Sequence, residues 1–183
     1  MVLVSGAGTN LRALARAIDD GTCRATLRAV IADRPCDALR WAEARGIPTQ
    51  LVRPRNFGDR ATWDAALADA IAESEPTLVV LAGFMRIVGD RVLARFGGQV
   101  VNVHPSLLPR HPGLDAPGQA LTAGDTRSGC TVHLVDRGVD TGPVLAQASC
   151  AVRAGDTAAT LHARIQPLEH ALLPAVLDSL LAG

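Results

Sequence analysis

The chain has 183 residues, 48% of them hydrophobic, with a mean hydropathy of +0.20, which supports one domain with a buried core and is too apolar for disorder. Basic and acidic residues both total 18, for a formal net charge of zero, so no global field favours nucleic acid or an anionic membrane, and any anionic ligand must be held by a local site. No apolar run reaches the roughly 18 residues of a membrane span, and the absence of lysine excludes both a lysine Schiff base and a P-loop lysine.

Short apolar runs alternate with stretches of helical periodicity. Residues 1–4, MVLV, read as a strand. The following TNLRALARAIDDG places Leu11, Leu14, Ala15 and Ile18 on one helical face, with Gly21 as a stop. Residues 27–33 read as the second strand. A helix capped by Asp37 and ended by Gly46 comes next, then a third strand in PTQLV. Residues 57–76 carry a long helix ending at Pro76. TLVVLAG (77–83) and GQVVNVH (98–104) are continuous apolar runs, as expected of strands buried on both faces. Such a βαβα series predicts an open, mostly parallel twisted sheet with helices on both faces, a Rossmann-like α/β domain. Residues 105–118, with four prolines and two glycines, read as a loop. Residues 129–136 and 142–152 then form a hairpin-like strand pair joined by RGVDTG. A C-terminal helix over 157–181 follows, bent near Pro167 or Pro174.

Three places carry candidate chemistry. SGAGTNL (5–11) lies between the first strand and first helix, where glycines and unpaired helix N–H groups suit a phosphate. The lesser alternative is a tight turn capped by Thr9. It lacks the third glycine of a dinucleotide fingerprint. Asn102 and His104 are two apart at the end of a strand, so both project to one face, at the carboxyl edge where ligands of parallel sheets bind. An amide beside an imidazole can stabilise charge on an oxygen. Asp140, in the hairpin turn, could orient His104 or relay protons, with Asp136 assigned to the solvated turn. On residues alone, a non-catalytic nucleotide-binding module stays open, and so does a dehydrogenase using Asp33.

The four cysteines, Cys23, Cys36, Cys130 and Cys150, are scattered and fit reduced thiols in a cytoplasmic protein, without metal-ligand spacing. The N-terminus shows no signal-peptide pattern.

Five segments in order, SGAGTNL at 5, LAGFMRIV at 81, NVHPSLLP at 102, GCTVHLVDRGVDTGPVLAQ at 129 and IQPLEHALLP at 165, make the chain resemble the folate-dependent formyltransferases along its whole length. The resemblance implies formyl transfer from 10-formyltetrahydrofolate to the amino group of glycinamide ribonucleotide, with no metal and no nucleic-acid or membrane partner. By position it implies Asn102, His104 and Asp140 as the catalytic set. It assigns Gly8, Thr9, Asn10, Arg60, Gln166 and Glu169 to the ribonucleotide, with Arg60 on its phosphate. Met85, Arg86, Ile87, Val88 and Val139, together with Asn102 and Asp140, fall to the folate. Pro117 and Gly118 depart from the family pattern. A 10-formyltetrahydrofolate hydrolase is the nearest alternative. Oligomeric state is not specified by any of these motifs.

Overall fold

The computed structural model describes residues 1–182. Its strands are β1 (Val2–Val4), β2 (Val30–Ala32), β3 (Thr49–Leu51), β4 (Val79–Leu81), β5 (Val100–His104), β6 (Arg127–Leu134) and β7 (Val144–Ala151). They form one seven-stranded sheet in the order β3-β2-β1-β4-β5-β6-β7. Strands β1 to β5 pair in parallel, and β6 runs antiparallel to both β5 and β7. The helices are α1 (Thr9–Asp19), α2 (Asp37–Ala44), α3 (Arg60–Ala72), α4 (Asp90–Phe96), α5 (Ala116–Thr122) and α6 (Ala158–Ala182).

The central parallel strands β1, β2 and β4 are apolar throughout because both of their faces are covered. On one face Val2, Val4, Val101 and Val103 pack with α1, α2 and α6; on the other Leu3, Val79, Leu81 and Val100 pack with α3 and α4. The chain leaves β1 toward β2 and β3 on one side and returns to β4 on the other. The connections leaving β1 and β4 therefore run to opposite faces, α1 on one and α4 on the other, opening a crevice at the point where strand order reverses.

The boundaries differ from the sequence expectation in four informative places. Helix α1 is entered through Gly8, which takes the cap position at φ 73 with no side-chain cap bond, so Thr9 is the first helical residue and not the cap. Asp37 likewise opens α2, with Cys36 at the cap. Helix α4 was not legible, its seven residues spanning barely two turns. The 105–118 loop ends early, at α5: Pro117 sits in the first turn, where its fixed φ suits a helix, and Asp115 caps by accepting from the Gly118 amide at 3.3 Å. A Cβ at 118 would lie 2.2 Å from that carboxylate, so the Pro-Gly pair that reads as loop is what this start requires. Pro167 and Pro174 lie inside one continuous α6.

Candidate active site

A cavity of about 790 Å3 occupies the crevice, within the range of small-molecule sites. One end is the turn after β1, with Gly8, Thr9 and Asn10; the other is the segment after β4, from Met85 to Val88. Asn102 and His104 lie on the wall between them, and the β6–β7 turn brings Val139 and Asp140 over it.

Strand alternation aims this centre. Val101 and Val103 enter the core, which turns Asn102 and His104 to the opposite face. In the antiparallel register His133 stands opposite Asn102 and Thr131 opposite His104. The turn between β6 and β7 brings Asp140 back with φ 56, while Asp136 stays in the turn, accepting from the Gly138 amide and the Thr141 hydroxyl.

Asp140 is the hub. One carboxylate oxygen accepts from the Gly113 amide at 2.8 Å and lies 3.3 Å from His104 Nδ1. The other accepts from Asn102 Nδ2 at 3.3 Å and lies 3.5 Å from His133 Nε2. Burial pushes this carboxyl up, but the His133 contact, the Gly113 amide and the neighbouring imidazoles outweigh it and hold it below its ordinary range. His104 is 5% exposed, and its Nε2 is 2.9 Å from the His111 carbonyl. Both its ring nitrogens thus face acceptors, an arrangement a ring carrying both N–H groups satisfies.

His133 is a member of this centre that sequence reading missed. Its Nδ1 donates to the Leu134 carbonyl at 2.8 Å, and its Nε2 is 3.1 Å from Asn102 Nδ2. That nitrogen stands between a donor and an acceptor, so it accepts from Asn102 when unprotonated and donates to Asp140 when protonated. The signal was available in β6, where Thr131 and His133 alternate with Cys130 and Val132. The loop after β5 is fixed by Thr131, whose hydroxyl donates to the Ser106 carbonyl at 2.6 Å and accepts from the Leu108 amide at 3.0 Å.

At the other wall, Ala158, His162, Gln166 and Glu169 of α6 recur at helical spacing and face the cavity. Asn10 Nδ2 donates to Glu169 at 3.1 Å. Burial raises the Glu169 carboxyl above its ordinary value, opposed by that hydrogen bond. Asn10 Oδ1 is buried without a partner, an acceptor left for something within the cavity. Met85, Ile87 and Val139 are 57%, 50% and 46% exposed, an apolar rim around the far end. Arg60 is not brought to the phosphate-type turn. It lies outside the cavity wall, exposed, and donates to the Ile87 carbonyl at 2.7 Å.

A nucleotide-sized crevice with an amide, an imidazole and a carboxylate at its centre defines a group-transfer enzyme of acyl type. Residues 1–177 match the formyl transferase family, and the chain belongs to that family. A phosphoribosylglycinamide formyltransferase of Bacillus subtilis (strain 168) is 39% identical over 181 residues, covering 98% of this chain and 93% of that protein. One of Mycobacterium tuberculosis is 46% identical over 180 residues, covering 98% and 83%. The crystal structure of glycinamide ribonucleotide transformylase 1 from Symbiobacterium toebii superposes with a TM-score of 0.94 at 40% identity, covering 97% of this chain and 84% of that one.

Proposed function

We propose that residues 1–183 act as one catalytic domain that moves the formyl group of 10-formyltetrahydrofolate onto the amino group of glycinamide ribonucleotide, a step of purine biosynthesis. The observation that carries this reading is the meeting of Asn102, His104 and Asp140 midway between a phosphate-type turn and an apolar-rimmed pocket.

The ribonucleotide phosphate sits on the amides of Gly8, Thr9 and Asn10 at the start of α1, where the helix dipole favours an anion. Gln166, Glu169 and the unpartnered Asn10 Oδ1 take the ribose and glycinamide groups. The pterin lies along Met85, Arg86, Ile87 and Val88, with backbone groups of Arg86 and Val88 as its hydrogen-bond partners, and Val139 covers its other side. Arg60, bonded to the Ile87 carbonyl of the folate wall, fits the acidic tail of the folate better than the phosphate first implied for it.

In the reaction the amine attacks the formyl carbon, forming a C–N bond and a tetrahedral oxyanion. Asn102 Nδ2 and the His104 N–H now held by the His111 carbonyl turn to that oxygen. The attacking amine loses a proton, which Asp140 passes through water toward N10 of the folate; the C–N10 bond breaks and N10 leaves protonated. The sequence of steps requires no metal, no nucleic acid and no membrane, and fits a cytoplasmic enzyme of small-molecule substrates.

Folate product formation followed by absorbance, with and without glycinamide ribonucleotide, tests the proposal. Product only with the ribonucleotide is expected. Equal rates without it would make the chain a hydrolase.

A further inference from the structure

Asp33 follows β2 at the carboxyl edge of the sheet, and its side chain is fully buried, at 0% exposure. Two guanidinium groups converge on it. Arg34 Nη2 donates at 2.9 Å and Arg86 Nε at 2.9 Å, and both arginine side chains remain nearly half exposed, at 47% and 44%. The Ser5 hydroxyl, at the head of the phosphate-type turn, accepts from the Met85 amide at 2.8 Å and is among the groups that hold the Asp33 carboxyl down. Burial pushes the Asp33 carboxyl up, but the bonds from Arg34, Ser5 and Arg86 win and hold it below its ordinary range.

A buried carboxylate is expensive unless it is paired. One arginine would neutralise it, and Arg34 is already adjacent in the chain. The second arginine and the serine relay both end on consecutive residues, Met85 and Arg86, of the wall assigned above to the folate. Ser5 meanwhile opens the turn assigned to the ribonucleotide. Three chain segments that are far apart in sequence thus meet around one charge, Asp33 bonded to Arg86 and the neighbouring Met85 amide bonded to Ser5.

We propose that Asp33 is a positioning residue that sets the Met85–Arg86 backbone against the turn after β1, and so fixes the shape of the folate half-site. The proposal rests on the formyl-transfer reading for the identity of that ligand. Asp33 touches no substrate; it acts through Arg86 and Ser5.

Asp33→Asn keeps size and shape while removing the charge, and the exposed flanks of Arg34 and Arg86 let both guanidiniums turn to water. The expected result is a KM for 10-formyltetrahydrofolate raised about tenfold, the scale of one lost charge-assisted hydrogen bond. The kcat at saturating folate and the KM for the ribonucleotide stay within about threefold of wild type. Ser5→Ala, which cuts only the relay, shifts the folate KM in the same direction and serves if Asp33→Asn does not fold. An unchanged folate KM in both variants overturns the proposal. So does a parallel loss of kcat and both KM values with a lowered melting temperature, the mark of general structural damage. Calorimetric titration with tetrahydrofolate reads the same contrast without turnover. If the wild type transfers no formyl group and yet the variants bind tetrahydrofolate about tenfold more weakly, the functional reading fails and the positioning role stands.

Discussion

Asp140→Asn is the perturbation that bears hardest on the active-site account. The carboxylate offers two acceptor oxygens to four donors or potential donors: the Gly113 amide, His104, Asn102 and His133. An amide has one oxygen. If it keeps Gly113 and His104, its NH2 group points at the NH2 of Asn102; if it turns over, it points at the Gly113 amide and His104. Either orientation exchanges a charge-assisted bond of about 1.5–3 kcal/mol for a neutral bond or a donor–donor clash. In the proposed mechanism it also withdraws the negative charge that steadies His104 as the oxyanion forms, bringing the total to roughly 3–4 kcal/mol. At about 1.4 kcal/mol per decade, kcat should fall about a hundred- to a thousandfold. The fold should survive with a lower melting temperature at neutral pH, because a carboxyl held below its ordinary range contributes stability above that range and loses it as the pH falls through the folded value. The assay is steady-state absorbance with both substrates saturating, alongside thermal melting. A variant that melts cooperatively and keeps more than about a third of wild-type kcat would refute the hub role.

Three further outcomes follow from the same geometry. Gly8→Ala forces a side chain into φ 73 and sets its Cβ 2.6 Å from the Ala38 Cβ; the left-handed backbone alone costs about 1–2 kcal/mol, so melting temperature should drop and the ribonucleotide KM should rise more than the folate KM. Arg60→Gln should raise the KM of a folate carrying its glutamate tail about two- to fivefold, the scale of an exposed ion pair, with the ribonucleotide KM unmoved; the reverse pattern would return Arg60 to the phosphate. Asp178 accepts from the Arg24 amide and guanidinium, bonds that lower its pKa from 3.8 to about 2. Its contribution is therefore full above pH 3.8 and fades as pH falls through about 2, so Asp178→Asn and wild type should differ in melting temperature at pH 7 and converge toward pH 2. A constant difference across that window would contradict the pairing.

The parallel sheet was legible in the sequence because strands buried on both faces are written as unbroken apolar runs, as in Leu78 to Ala82. The common face of Asn102 and His104 followed from strand alternation alone. Other features depend on partners that local pattern does not carry. The alternation in β6 puts His133 on the face of Thr131, but its entry into the centre depends on the register that sets it opposite Asn102, which local pattern does not carry. Helix α5 was hidden by Pro117 and Gly118, residues that serve its first turn here. Arg60 shows the limit most clearly. Its position at the start of α3 was readable, whereas the end of the cavity it approaches is decided by the packing of α3 against α4 and the contact with Ile87. Asp33 reads in sequence like a dehydrogenase acid, but its partner is Arg86, 53 residues away, which local pattern does not carry.

The most direct measurement of the central claim is the fate of the formyl carbon. The protein is incubated with 10-formyltetrahydrofolate labelled with carbon-13 in the formyl group and with glycinamide ribonucleotide, and the products are resolved by mass spectrometry and NMR. The account predicts the label as a formamide on the ribonucleotide's amino nitrogen, with little free formate. Label recovered as formate, with the ribonucleotide unchanged, would contradict it.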